Sequence, residues 1–131
     1  MAVLEGTSLE YLGPPPEAFA PLLVVLSCTF VADTRLLPQR LAAFRAQHPG
    51  VGVLYLFREP RSAVETAFPR LDLFGGSCVA VDPSNTAFDV LLGHTGQRLV
   101  PAFCLFGRTE LLWGGDLVGL EFAALLLKRP P

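Results

Sequence analysis

The sequence predicts an α/β domain in which a mainly parallel sheet is flanked by helices and completed by an antiparallel ββα unit. Along most of the chain, short continuous apolar runs alternate with segments of helical periodicity, which is typical of parallel strands joined by right-handed crossovers. Near the end, two apolar runs are separated by a short polar turn, which predicts a β-hairpin before the last helix. The length of 131 residues fits one domain. We predict an N-terminal arm over residues 1–20, in which residues 1–12 form a weak strand or an arm, and the domain over residues 21–131.

The first three strands are predicted from apolar runs over residues 22–28, 51–57 and 77–81. In these runs successive residues are apolar, whereas a strand with one solvated face alternates between apolar and polar residues. A continuous apolar run indicates a strand that is covered on both faces, as in the centre of an α/β sheet. We therefore expect helices on both sides of the sheet.

The first helix is predicted over residues 33–47, where apolar residues recur at helical spacing. Asp33 or Thr34 is suited to cap its N-terminus. Pro38 lies inside this pattern, and we interpret it as a kink, because proline removes a backbone donor and crowds the preceding turn. The apolar face consists of Leu37, Leu41 and Phe44.

Two further helices are predicted between the later strands. A short helix is expected over residues 61–68, and a longer one over residues 84–92. Asp82 precedes Pro83 at the start of the longer helix, so an N-cap residue stands directly before a proline that is favoured in the first turn.

The C-terminal ββα unit is predicted from a hairpin and a capped helix. The hairpin strands are expected over residues 102–106 and 110–113, with a short turn between them. Asp116 is suited to cap the last helix. The apolar face of that helix consists of Leu117, Leu120, Ala124 and Leu127.

The composition excludes several classes of function. The formal net charge is −2, and no cluster of lysine and arginine supplies the basic surface that nucleic-acid binding requires. The chain is 51% hydrophobic, but its apolar runs are shorter than the ~20 residues of a membrane-spanning helix. Glu5 and Glu10 stand where a signal peptide would be apolar. We therefore expect a cytoplasmic protein that binds neither nucleic acid nor membrane.

The three cysteines are Cys28, Cys78 and Cys104. An odd number of widely separated cysteines without a secretory signal does not indicate a disulfide scaffold. The sequence contains no CxxC motif, and its two histidines are isolated, so we expect no structural metal and no cofactor. We interpret Cys78 as a packed side chain.

Three local features resemble the thioredoxin fold. A buried strand leads into a loop and a helix that carries Pro38; Val100 and Pro101 stand directly before the hairpin; and Gly114 and Gly115 follow its second strand. The resemblance covers roughly residues 20–127. It implies a central mixed sheet flanked by helices, with a cis-proline step at Pro101 beside the active-site loop.

Within that superfamily, the stretch CTFVADT over residues 28–34 resembles the peroxiredoxin and alkyl hydroperoxide reductase branch. The peroxiredoxin alignment puts the peroxidatic cysteine at Ala32, and the thioredoxin alignment puts the two CxxC positions at Phe30 and Asp33. None of these residues is a cysteine. The resemblance therefore implies a scaffold that lacks its usual nucleophile at the helix N-terminus, where the helix dipole would stabilise a thiolate.

Three functional hypotheses follow from this pattern. The first is a redox-inactive domain that binds a protein or an extended peptide by backbone pairing in a groove. The second is an atypical thiol oxidoreductase or peroxidase that uses Cys28, with Cys104 as a neighbouring resolving thiol. The third is a structural or dimerisation module, with a possible homodimer. The groove of the first hypothesis consists of Thr29, Phe30, Val31, Ala32, Asp33, Val100, Pro101, Gly114 and Gly115.

Overall fold

The computed structural model describes residues 9–12, 21–29, 36–68, 78–82, 86–97, 100–107, 110–116, 119–120 and 123. Its strands are β1 (Glu10–Tyr11), β2 (Leu22–Ser27), β3 (Gly52–Phe57), β4 (Cys78–Val81), β5 (Ala102–Phe106) and β6 (Leu111–Gly115). Its helices are α1 (Leu37–Arg40), α2 (Ala42–Gln47), α3 (Arg61–Ala67) and α4 (Thr86–Thr95).

The strands form one mixed sheet in the order β1-β4-β3-β2-β5-β6. The three consecutive strands β2, β3 and β4 are parallel to one another. Strand β5 runs antiparallel to β2, and β6 runs antiparallel to β5. Strand β1 lies within residues 1–12, the segment interpreted as a weak strand or an arm, and pairs antiparallel with β4. The predicted α/β architecture with a central mixed sheet is thus confirmed.

The core has two layers, one on each face of the sheet. Along β2, Leu23 and Val25 pack on one face with the helices α1, α2 and α3. Leu22 and Val24 pack on the other face with α4. All six residues of β2 are buried. The continuous apolar runs are therefore explained by a sheet whose central strands are covered on both faces.

The first helix differs from the prediction at Pro38. Helix α1 begins at Leu37 with Leu36 as its N-cap residue, and Pro38 lies in its first turn. The N–H groups in the first turn of a helix have no acceptor within the helix, so a proline, which lacks an N–H, is favoured there. Pro38 therefore belongs to the start of a helix and does not kink one. The interruption lies at Leu41, between α1 and α2. The predicted caps Asp33 and Thr34 lie outside the described residues.

Helix α4 crosses the sheet from β4 towards β6. Before the helix, the buried Asp82 accepts a hydrogen bond of 2.9 Å from the N–H of Phe88, the third residue of α4. Asp82 therefore binds an N–H of the first turn from six residues away, whereas an N-cap side chain binds the N–H two or three residues later. The predicted cap geometry next to Pro83 lies in residues 83–85, outside the described residues.

Helix α4 continues past the predicted end at residue 92 and reaches Thr95. Gly96 follows with φ 70°, a left-handed conformation that commonly ends helices. Gly96 is therefore the stop signal that the sequence analysis overlooked.

Strand β6 extends further than predicted and contains both glycines. A Cβ atom on Gly114 would lie 2.9 Å from the carbonyl oxygen of His94, in the last turn of α4. The close approach of helix and strand therefore requires glycine at this position. After β6, the Asp116 side chain accepts a hydrogen bond of 3.0 Å from the N–H of Gly119, as predicted for a cap.

The end of the chain contributes to the core through the last helix. Leu120 and Ala123 are helical and buried against the layer that contains α1, α2 and α3. Leu117, Ala124 and Leu127 lie outside the described residues. Within the described ranges, no helix combines the length and the apolar content that crossing a bilayer requires.

Candidate functional site

One edge of the sheet brings together the ends of the parallel strands and the start of β5. Thr29 follows β2, Glu59 follows β3, and Asp82 follows β4. Because β5 runs antiparallel to β2, with Ala102 opposite Leu26, the residues just before β5 lie at this same edge. We call it the carboxyl edge. In open α/β sheets, ligands bind at the carboxyl ends of the parallel strands.

The predicted groove is partly assembled at the carboxyl edge. The Val100–Pro101 peptide bond is cis and directly precedes β5, so it lies beside the end of β2. Gly115 pairs with Phe103 near the start of β5. Thr29, Val100, Pro101 and Gly115 therefore share one edge. Gly114 lies one residue further from it, opposite Cys104. The remaining predicted members, Phe30, Val31, Ala32 and Asp33, lie outside the described residues.

Cys28 directly follows β2 at the carboxyl edge and is buried. Its exposed fraction is 2%, so solvent has almost no access to the residue. A nucleophilic thiol needs both exposure and stabilisation of its thiolate form. The position of Cys28 agrees with the second hypothesis, and its burial opposes it.

Cys104 lies in the middle of β5, in the layer covered by α4, and is completely buried. Its thiol donates a weak hydrogen bond of 3.5 Å to the carbonyl oxygen of Leu91. Burial raises the pKa of Cys104 to about 12. The thiol form therefore predominates at neutral pH, and Cys104 behaves as a small apolar core residue.

The predicted proximity of Cys28 and Cys104 is wrong. The expected antiparallel pairing of β2 and β5 is present, but Cys104 lies opposite Val24. Cys28 is four residues further along the chain, which corresponds to about 13 Å of extended strand. A disulfide needs Cα atoms within ~7 Å. No disulfide joins any of the three cysteines.

Cys78 lies at the end of the strands opposite the carboxyl edge, because it is the first residue of β4. Burial raises the pKa of its thiol. Tyr11 on the neighbouring β1 also has a raised pKa, first through burial and then through the charge of ionised Cys78. Cys78 is thus distant from the carboxyl edge, in agreement with its interpretation as a packed side chain.

Glu59 is the residue at the carboxyl edge that the sequence analysis missed. Its Oε2 accepts a hydrogen bond of 2.7 Å from the backbone N–H of Thr29 and a second one from the Thr29 hydroxyl group. The carboxylate therefore ties the segment after β2 to the segment after β3. The available signal was a carboxylate two residues after a buried strand, but its partner lies 30 residues away in the sequence.

Arg58 precedes Glu59 and is engaged on the face covered by α4. Its Nη2 lies 2.7 Å from Oδ1 of Asp89, and its guanidinium group lies 5.1 Å from the ring centroid of Phe88. Both members of the ion pair are substantially exposed, at 44% and 58%. Such pairs contribute about 0–1 kcal/mol to stability.

Among the described residues, no group of three or more histidine, cysteine or acidic residues is placed to hold a metal ion.

Solved structures similar to this one belong to thioredoxin-like proteins. An uncharacterized thioredoxin-like protein from Porphyromonas gingivalis has a TM-score of 0.63 and 17% identity, with 98% of this chain and 89% of that chain covered. A thiol-disulfide oxidoreductase from Bacteroides fragilis has a TM-score of 0.58 and 15% identity, with coverage of 84% and 85%. A secreted Mycobacterium tuberculosis disulfide oxidoreductase has a TM-score of 0.55 and 10% identity, with coverage of 82% and 81%.

The chain has a thioredoxin-like fold. At these identities the likeness shows the fold alone, since one fold supports many functions. No family model matches the sequence, and no curated protein matches it either.

Proposed function

We propose that this thioredoxin-like domain binds an extended peptide or protein segment at the carboxyl edge and performs no thiol chemistry there. The observation that carries the proposal is the burial of Cys28, the one cysteine that follows a strand at this edge, to 2% exposure. Cys104 adds support, because burial raises its pKa to about 12. A thiol that is inaccessible or fully protonated is a poor nucleophile.

The proposed binding mode is backbone pairing at Val100. This residue precedes the cis bond to Pro101 and lies at the carboxyl edge, just before β5 begins at Ala102, where an extended peptide would pair with its main-chain groups. Glu59 supports the arrangement, because its bonds to Thr29 hold the end of β2 beside this position. Pairing through the main chain requires no reactive side chain.

A binding experiment tests the proposal. The probe is an acetylated and amidated seven-residue peptide of alternating valine and threonine, labelled with fluorescein and followed by fluorescence anisotropy. The variant Val100→Pro lacks the backbone N–H, and one lost hydrogen bond is expected to weaken binding by up to roughly tenfold. The control Val100→Ala keeps the backbone and is expected to bind as the wild type does. Equal binding by all three proteins would contradict backbone pairing.

Turnover by the reduced protein tests the redox part. We expect the protein to reduce a disulfide substrate and to consume hydrogen peroxide no faster than a small free thiol compound does in its place. Activity that Cys28→Ser abolishes would overturn the proposal. A reducing, cytoplasmic location is part of the proposal.

A second candidate function is that of an atypical thiol oxidoreductase or peroxiredoxin-like peroxidase using Cys28. The observation in its favour is that Cys28 follows β2 at the same edge as the cis Val100–Pro101 bond. It requires a Cys28 thiol that reagents reach in the native state. Iodoacetamide labelling followed by mass spectrometry decides this: modification of Cys28 as slow as that of Cys104 rules the candidate out.

A further inference from the structure

Glu59 places a carboxylate at the carboxyl edge. No cationic side chain among the described residues forms an ion pair with it. Its Oε2 accepts two hydrogen bonds from Thr29, both from neutral donors. Its Oε1 is buried and has no hydrogen-bond partner among the described residues. A buried carboxylate oxygen without a donor is unfavourable, because it has lost the hydrogen bonds that water supplied in the unfolded chain.

The two arginines nearest to Glu59 in the sequence are paired with other carboxylates. Arg58 lies 2.7 Å from Asp89, on the face covered by α4. Arg61 lies 3.0 Å from Glu65, one helical turn further along α3. Neither of these arginines therefore neutralises Glu59, and its negative charge acts at the carboxyl edge.

We propose that Glu59 makes the carboxyl edge selective for basic peptides, so that the preferred ligand is an extended segment with a lysine or arginine side chain close to Glu59. The inference rests on the proposed function and specifies the ligand class for the same site. A cation at this position compensates the carboxylate, and an opposite charge in a half-buried setting attracts more strongly than one in bulk water.

The geometry of the sheet allows one peptide to reach both positions. Glu59 lies on the β3 side of β2, and Val100 lies on the β5 side. Two spacings between neighbouring strands correspond to roughly 10 Å. Three residues of extended chain span about the same distance at ~3.3 Å each. A basic residue about three positions from the one that pairs with Val100 therefore lies within reach of Glu59.

A peptide scan tests the selectivity. The probe is the same seven-residue valine–threonine peptide, in which lysine replaces one residue at each position in turn. A matched set carries norleucine, which has nearly the same stem without the charge. We expect wild type to prefer lysine over norleucine on the order of fivefold at one or two adjacent positions, and Glu59→Gln to lose this preference. The control Glu65→Gln removes the same charge on the exposed face of α3 and is expected to keep it.

The outcomes separate the inference from the proposed function. Binding of both peptide sets with equal affinity at every position overturns the charge selectivity and leaves peptide binding in place. A lysine preference that Glu59→Gln retains also overturns it. Absence of binding by every peptide in both sets overturns the proposed function, and the inference falls with it.

Two measurements on the wild type keep the test decisive if Glu59→Gln does not fold. Raising the salt concentration from 20 to 500 mM is expected to remove most of the lysine preference and to leave norleucine binding unchanged. A glutamate at the preferred position is expected to bind more weakly than norleucine. A lysine preference that is independent of salt, or a glutamate peptide that binds as well as the lysine peptide, would contradict the role of Glu59.

Discussion

Burial controls the chemistry of individual side chains in this domain. Cys104 and Tyr55 lie in opposite core layers, and neither is exposed. Burial raises the pKa of both to about 12, although the positive charge of Arg45 partly counteracts it at Tyr55. In each case the cause is the cost of placing an anion in an apolar layer of the core.

Alkaline pH is expected to destabilise the fold through Cys104. Its pKa rises from 9.0 to about 12 on folding, so above pH 9 the unfolded chain loses a proton that the folded chain retains. The contribution of the thiol is fully present below pH 9 and is lost as the pH rises towards 12. Between pH 8 and pH 10.5, we expect wild type to lose about 2 kcal/mol more unfolding free energy than Cys104→Ala.

Urea denaturation at a series of pH values measures this difference. Comparing slopes against pH removes the constant cost of the cavity that Cys104→Ala creates. The other cysteines and Tyr55 titrate in both proteins, so their contributions cancel. Parallel curves for the two proteins would show that Cys104 ionises equally easily in both states.

The secondary-structure elements show which parts of the fold can be predicted from local sequence. Continuous apolar runs located the central strands closely, because burial on both faces leaves that pattern in the sequence itself. Asp116 was correct as a cap, since capping depends on neighbours along the chain, whereas Asp82 accepts from an N–H six residues later. Strand β6 was predicted to end before Gly114, because its contact with α4 is a tertiary feature.

The candidate site was predictable only in part, for the same reason. The resemblance to the thioredoxin fold put Thr29 beside Val100 and Pro101, and these residues lie at the same edge because β5 runs antiparallel to β2. The contact between Thr29 and Glu59 depends on two loops that are distant in sequence. The prediction that Cys28 and Cys104 are close was wrong, because the direction of two strands does not determine their register. Here the register puts Cys104 opposite Val24.

The packing of α4 on β6 predicts opposite effects of alanine at two glycines. A Cβ at position 114 would lie 2.9 Å from the His94 carbonyl oxygen and 3.0 Å from the Thr95 Cα atom, so Gly114→Ala forces the helix away from the strand. We expect a loss of about 1–3 kcal/mol in unfolding free energy. Gly93 lies on the exposed side of α4, where an added Cβ would meet no packed neighbour within 4 Å, so Gly93→Ala is expected to stabilise by up to about 1 kcal/mol.

Thermal and urea unfolding of the two variants beside wild type checks this pair. Both changes add one methyl group to the same helix–strand unit, so general effects of alanine are matched. A Gly114→Ala protein as stable as wild type would mean that α4 and β6 do not approach each other as closely as described.

At the scale of the whole molecule, stability is concentrated in the middle of the sheet. Strand β2 pairs with β3 on one side and β5 on the other, and both of its faces are covered. Strand β1 is a two-residue edge strand that pairs with β4 alone. Opening β1 exposes little apolar surface, whereas exposing the amides of β2 requires separation of the whole sheet.

Native-state hydrogen exchange is therefore expected to be faster at the edge strand β1 than at the central strand β2. The amide of Leu12 donates to the Val79 carbonyl oxygen at 2.9 Å next to β1, and we expect it to exchange by local opening. The amides of β2 are expected to exchange at least roughly 100-fold more slowly, a ratio that corresponds to about 3 kcal/mol between local and global opening. Low concentrations of urea should accelerate exchange in β2 and leave Leu12 nearly unaffected, because only global unfolding exposes a large surface. Equal protection and equal urea dependence at both positions would instead make the sheet a single cooperative unit out to its edge.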